Sequence, residues 1–216
     1  MSPAFWIWSH LTFVLLIASV LSLLLKCRSR LPSMLMCLLI PVVLGVLPIG
    51  RTDVSGFALA HMGTLSASML VLLAFQLFAK VGFIQGFSAP VLRNMNIFWF
   101  ATGMILYPSA LGFLNTDVYL FGFHTRLNWC VLAVSVVAML CRHRILGLCL
   151  AFSVLAHLLK LHESCNLWDY IIDPWLWIAA TVSMFAGIFR RLLRVKPEKD
   201  VPVNPASLSA LDRGDS

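Results

Sequence analysis

The stretch HESCNLWDYIIDPWLW, residues 162–177, sets three carboxylates, an amide and a phenol between two strongly apolar runs. Laid on a helix at ~100° per residue, Glu163, Asn166, Asp169, Tyr170 and Asp173 fall on one arc of about 120°. Cys165, Leu167, Trp168, Ile171 and Ile172 take the other side. That segregation predicts a short amphipathic helix over about 163–173, lying in a membrane interface with its polar face outward. Asp173-Pro174 ends it, with Asp173 placed to cap the next helix and Pro174 in that helix's first turn. Trp168, Tyr170, Trp175 and Trp177 suit the aromatic belt found at that depth.

Five further polar groups belong with this face if the segment folds over its neighbours. They are Arg51 and Asp53 of IGRTDVSGF, Asn115 and Asp117 of LNTDVYLFGF, and Arg126. Arg51, Arg126 and Lys160 then pair with the carboxylates as an ion-pair lid. A charge at membrane depth costs roughly 2.5–3.5 kcal/mol on insertion scales, so such groups are as a rule paired or functional. The chemistry open to the cluster is Asp169 or Asp173 as base or metal ligand, with Arg51 or Arg126 clamping a phosphate. The plainer reading is a solvated face.

Three histidines, His10, His61 and His157, sit at comparable depths in apolar runs and raise the question of a metal or haem. No H-x-x-x-H or H-E-x-x-H sets two of them on one helix face, so scattered hydrogen-bonding histidines are expected, with no metal and no cofactor. The six cysteines form no C-x-x-C and read as small apolar filler. The last apolar run has no lysine for a retinal Schiff base, and no G-x-S-G or phosphate-binding loop is present.

The elements that must position these groups follow from composition. Of 216 residues, 60% are hydrophobic and 12% charged, and the mean hydropathy is +0.91; too little charge is present to cover a soluble domain. Apolar runs separated by short charged breaks predict an all-α integral membrane bundle of about seven transmembrane helices. The expected spans are about 4–25, 31–50, 55–79, 96–114, 127–141, 145–161 and 174–193, with six or eight as alternatives because residues 80–95 can dip into the bilayer. Pro41, Pro48 and Pro108 are expected to kink their helices.

Of the 16 Lys and Arg, three (Arg51, Arg126 and Lys160) fall on one side of this arrangement and the other 13 on the opposite side. The positive-inside rule then sets the N-terminus outside and the C-terminus in the cytoplasm. The net charge of +7 reflects these topogenic residues and not nucleic-acid binding. The first run lacks a positive n-region and is followed by KCRSR, which argues against a cleaved signal peptide. Residues 1–194 form one transmembrane domain on this reading, and 195–216, rich in Pro, Ser and charge, a disordered cytoplasmic tail.

The functional expectation is a small bacterial inner-membrane protein, multi-pass, working as a non-catalytic component of a cell-envelope system. Its outer polar face would contact a lipid, a lipid-linked glycan or a partner subunit. Two alternatives stand beside it: a membrane-embedded enzyme acting on a lipid-linked substrate at that face, and a cation or proton channel or transporter.

Overall fold

The computed structural model describes residues 3–24 and 31–192, with side chains in the second stretch described for 35–190. Among them are nine α-helices: α1 Pro3–Leu24, α2 Leu31–Gly45, α3 Val54–Met62, α4 Ala67–Val81, α5 Ala89–Ala110, α6 Thr125–Leu140, α7 Arg144–Leu158, α8 Leu167–Ile171 and α9 Pro174–Leu192. A two-stranded antiparallel ribbon, β1 Pro48–Ile49 and β2 Thr52–Asp53, joins α2 to α3. A 3₁₀ segment, Val118–Phe123, precedes α6. The chain divides into two compact units, Met1–Met184 and Phe185–Ser216. Within the described residues the second unit consists of the C-terminal turns of α9.

The all-α class is as expected, and several helices start and stop for reasons visible in the sequence. α5 begins at Ser88-Ala89-Pro90, where proline occupies a first-turn position whose N–H has no helical acceptor. α2 ends at Gly45, and the chain turns through Gly50 at φ 62°. Pro48 therefore lies in the ribbon and kinks no helix, whereas Pro41 and Pro108 lie inside α2 and α5.

The third expected span, 55–79, is broken. Gly63 adopts φ 74°, a conformation that costs glycine little, and its N–H bonds the carbonyl of Leu59 to close α3. Ser66 then restarts the helix by accepting the Met69 N–H at 3.2 Å. Of the described helices only α1 is long and apolar enough to cross a membrane by length and composition. α4, α6 and α7 are apolar but only 15, 16 and 15 residues long. α5 and α9 have the length, but Arg93, Asn94 and Asn96 dilute one, and Trp175, Trp177 and Arg190 the other. Helix length does not support seven spans, because the breaks at Gly45 and Gly63 and the end of α7 at Leu158 cut apolar runs short, and α6 is itself only 16 residues long.

Small polar residues lie where helices meet. Ser135 of α6 donates to the Gly147 carbonyl of α7 at 2.7 Å, an approach so close that a side chain at Gly147 would strike the Ser135 carbonyl. Ser68 of α4 meets Ser153 of α7 at 3.0 Å, and Ser153 also bonds the Tyr170 carbonyl at 2.8 Å. Trp8, Leu70, Trp99, Leu150, Leu167 and Ile171 fill the core around these contacts. The outward-facing positions carry Leu, Ile, Val and Phe on α1, α2, α5, α6 and α9.

Candidate functional site

The segment from Leu159 to Asp173 is mostly a folded loop. Its helix covers only Leu167–Ile171, not 163–173, because Asn166 and Ile172 take extended backbone on either side of it. The physical reason lies in the same polar residues that suggested a longer helix. Asn166 is the N-cap: its Oδ1 accepts the Trp168 N–H at 2.9 Å, and its Nδ2 donates to the Tyr119 carbonyl at 3.0 Å. Gly122 packs directly on that amide, where any side chain would collide with it.

The five polar groups do not share a wetted face. Asn166, Tyr170 and Asp173 have 0%, 1% and 4% of their surface exposed, Asp169 is half-buried, and Glu163 alone is exposed. The Tyr170 hydroxyl lies 3.1 Å from the His162 and Ser164 carbonyls and 3.2 Å from the His162 N–H. Burial raises its pKa. Asp169 accepts the Tyr119 hydroxyl at 3.0 Å and the Ser164 hydroxyl. Burial, and then the Asp169 charge beside it, push the Tyr119 phenol up to about 12.

Asp173 joins two helices. One oxygen accepts the Leu176 N–H at 2.7 Å, capping α9, and the other accepts the Ser66 N–H at 2.8 Å, where α4 begins. Two helix N-termini, each with uncompensated N–H groups and a positive dipole end, thus converge on one buried carboxylate. Beside it, Trp175 donates from Nε1 to the Met62 carbonyl at 3.1 Å.

His162 completes the loop. Its Nδ1 accepts the Ser164 N–H at 3.0 Å, which leaves Nε2 to carry the proton toward the Thr64 hydroxyl. Burial lowers its pKa against the opposing charges of Asp169 and Glu163.

A second cluster lies on α1 and α3. Asp53 caps α3 through the Gly56 N–H at 2.6 Å, accepts the Ser55 hydroxyl at 2.8 Å, and lies 3.4 Å from His10 Nε2. Burial pushes the Asp53 carboxyl upward, but the Gly56 N–H, the Ser55 hydroxyl and His10 together hold it below the usual carboxylate range. A serine, a histidine and an aspartate meet here without forming a hydrolytic triad. Ser55 Oγ and Asp53 share the same ring nitrogen, and His10 Nδ1 is bonded to the Trp6 carbonyl. A triad needs the carboxylate on Nδ1 and the hydroxyl on Nε2.

The remaining expected residues lie apart from these networks. Arg51, Asn115 and Arg126 are exposed, and Asp117 caps the 3₁₀ segment through the Tyr119 N–H at 2.9 Å. Among the described residues His10–Asp53 is the one contact between a basic side chain and a carboxylate, so the expected ion-pair lid of Arg51, Arg126 and Lys160 does not form. Hydrogen bonds between polar side chains and backbone take its place. His61 bonds the Phe57 carbonyl of its own helix, and His157 donates to the Cys165 carbonyl at 3.2 Å. Among the described residues no three His, Cys, Asp or Glu side chains cluster as metal ligands.

Thr64, Ser66, Tyr119, His162 and Ser164 belong to the site without having stood out as candidates. Ser66 had a signal, a hydroxyl immediately before an apolar helix. Tyr119 had none, because its partner Asp169 is 50 residues away.

No protein-family model matches the chain, and neither the curated proteins nor the solved structures give a match. The fold and site define an all-α chain with, among the described residues, one helix able to span a membrane by its length and composition, and a polar network built around helix starts.

Proposed function

We propose that the chain is a multi-pass inner-membrane protein, N-terminus outside and C-terminus cytoplasmic, acting as a non-catalytic component of a cell-envelope system. The observation that carries this reading is the polarity of its packing. Large apolar side chains face outward on several helices, among them Met36, Leu39 and Val43 of α2 and Leu132, Val136 and Leu140 of α6. Inside lie Ser9, Thr12, Ser19, Asn128, Ser135 and Ser153. Apolar patches on soluble monomers seldom exceed a few hundred Å². Small polar residues between helices, with hydrocarbon-like residues outside, is the arrangement that lipid favours.

α4, α6 and α7 reach only ~22–24 Å at ~1.5 Å per residue. Against a ~30 Å core this shortfall is met by adjoining apolar segments and local thinning. α3 continues the line of α4 in sequence, and the 3₁₀ segment continues that of α6, with exposed Leu120, Phe121 and Phe123.

The non-catalytic assignment rests on how the carboxylates are used. Asp173 and Asp169 spend their oxygens on backbone N–H groups and hydroxyls within the protein. Contact with a lipid headgroup, a lipid-linked glycan or a partner subunit is left to the exposed rim of Arg51, Asn115, Arg126 and Glu163.

The natural cysteines test the placement. Cys165 and Cys141 are both exposed, at opposite ends of the α6–α7 pair. In single-cysteine variants a membrane-impermeant maleimide added to intact cells should label Cys165, and Cys141 only after permeabilisation. Equal labelling of both from outside would overturn the proposal.

A further inference from the structure

α4, α5 and the first half of α9 enclose an elongated crevice of about 500 Å³, within the ~300–1,000 Å³ typical of small-molecule sites. Along α4 it extends from Met69 to Lys80, roughly 16 Å at ~1.5 Å per residue. Leu73, Met95, Trp99, Leu176 and Ala180 line it and are buried, so it is a formed slot and not a surface dimple.

Its lining is mixed. Met69, Leu72 and Leu176, near the starts of α4 and α9, are apolar, while Gln76 and Lys80 lie one turn apart toward the end of α4, with Asn96 of α5 also in the wall. Lys80 is half-buried and gives one N–H to Ser22 of α1 at 2.9 Å. Among the described residues no carboxylate lines the crevice or pairs with Lys80. Trp99 adds a buried indole N–H with no partner among the described residues.

We propose that this crevice binds a single-chain anionic amphipath, its alkyl chain along the slot and its carboxylate or phosphate head on Lys80, Gln76 and Asn96. The proposal rests on the multi-pass reading, which sets Lys80 at the cytoplasmic interface and opens the crevice to lipid. Bilayer chains are as apolar as the slot, so the chain alone gains little by entering it. Selection falls to the head, where a partly desolvated ammonium with no opposing charge favours an anion.

The test uses the full chain in phosphatidylcholine nanodiscs with three diazirine-bearing probes: palmitate, lysophosphatidic acid and hexadecanol. Crosslinks of one or both anionic probes should map to the α4, α5 and α9 walls, and which of the two binds tighter identifies the head as carboxylate or phosphate. Lys80→Gln should weaken that binding about tenfold, the loss of one charge-assisted hydrogen bond. Ser22→Ala keeps the cation and should leave binding within twofold. Ala179→Trp, at an exposed wall position, should abolish the crosslinks without disturbing the core.

Equal crosslinking by hexadecanol, or a Lys80→Gln effect below twofold in a variant that elutes as wild type, overturns the proposal. Cysteine labelling on the same variants separates the two readings. Correct topology with lost head-group selectivity refutes the ligand alone, whereas reversed or single-sided topology refutes the membrane arrangement on which it rests.

Discussion

Replacing Asp173 with alanine tests whether the polar segment is a structural device. The carboxylate is 4% exposed and accepts two backbone N–H groups, Leu176 at 2.7 Å and Ser66 at 2.8 Å. Removing it strands both donors, at about 1–3 kcal/mol each. It also removes a negative charge from the starts of α9 and α4, worth ~0.3–1 kcal/mol per helix end. Relief of the buried charge's desolvation offsets part of this, leaving a net loss of about 3–5 kcal/mol. For a chain of this size that is a fall in Tm of roughly 10 °C. Asp173→Asn keeps one acceptor but turns an N–H toward the other donor, so it should lose about half as much. Thermal unfolding in detergent, followed by intrinsic tryptophan fluorescence, reads both variants, with the exposed Glu163→Gln as a control expected within ~0.5 kcal/mol. An Asp173→Ala protein that melts within about 2 °C of wild type would refute the claim that this carboxylate joins α4 to α9.

Gly122→Ala should disrupt the loop from its other side, because the added methyl meets the Asn166 amide that caps α8; we expect a loss of about 2–3 kcal/mol from overpacking, and faster amide exchange at Trp168. His162 should give the loop a pH dependence. Its folded pKa lies below the ordinary 6.5, so between those two values the unfolded chain binds more protons than the folded one. Stability is then full above about pH 6.5 and falls as the pH drops below it toward the folded pKa. Melting curves from pH 8 to pH 5 measure this slope, which His162→Gln should flatten; an unchanged slope would count against a buried, neutral imidazole.

Much of the architecture was legible in the sequence. Each expected span overlaps at least one helix, though not with the expected bounds, since long apolar runs leave the backbone little alternative to bonding with itself. What could not be read were the interruptions. Gly63 stops α3 within a run that looks continuous by hydropathy, and the decisive restart, Ser66, acquires its meaning only with Asp173 beside it. The chemistry of 163–173 was legible as a set of residues and misread as a surface. Helical spacing reports that polar groups align; it says nothing of whether water or backbone donors lie opposite them.

The reversal has one physical source. α4, α8 and α9 all start within the same network, at Ser66, Asn166 and Asp173. Every helix start leaves N–H groups without intrahelical acceptors, and at Ser66, Asn166 and Asp173, all buried, side-chain oxygens take them in place of water. Three starts gathered in one place therefore demand several acceptors: Ser66 supplies one to its own helix, and the segment supplies the others as Asn166 and Asp173 oxygens. The same demand accounts for Asp53 at α3 and Asp117 at the 3₁₀ segment. Polar residues at the ends of short apolar helices are first of all the acceptors those helices require. A binding or catalytic role is better sought among groups that no helix start claims, and here those are the exposed rim and the Lys80 end of the crevice.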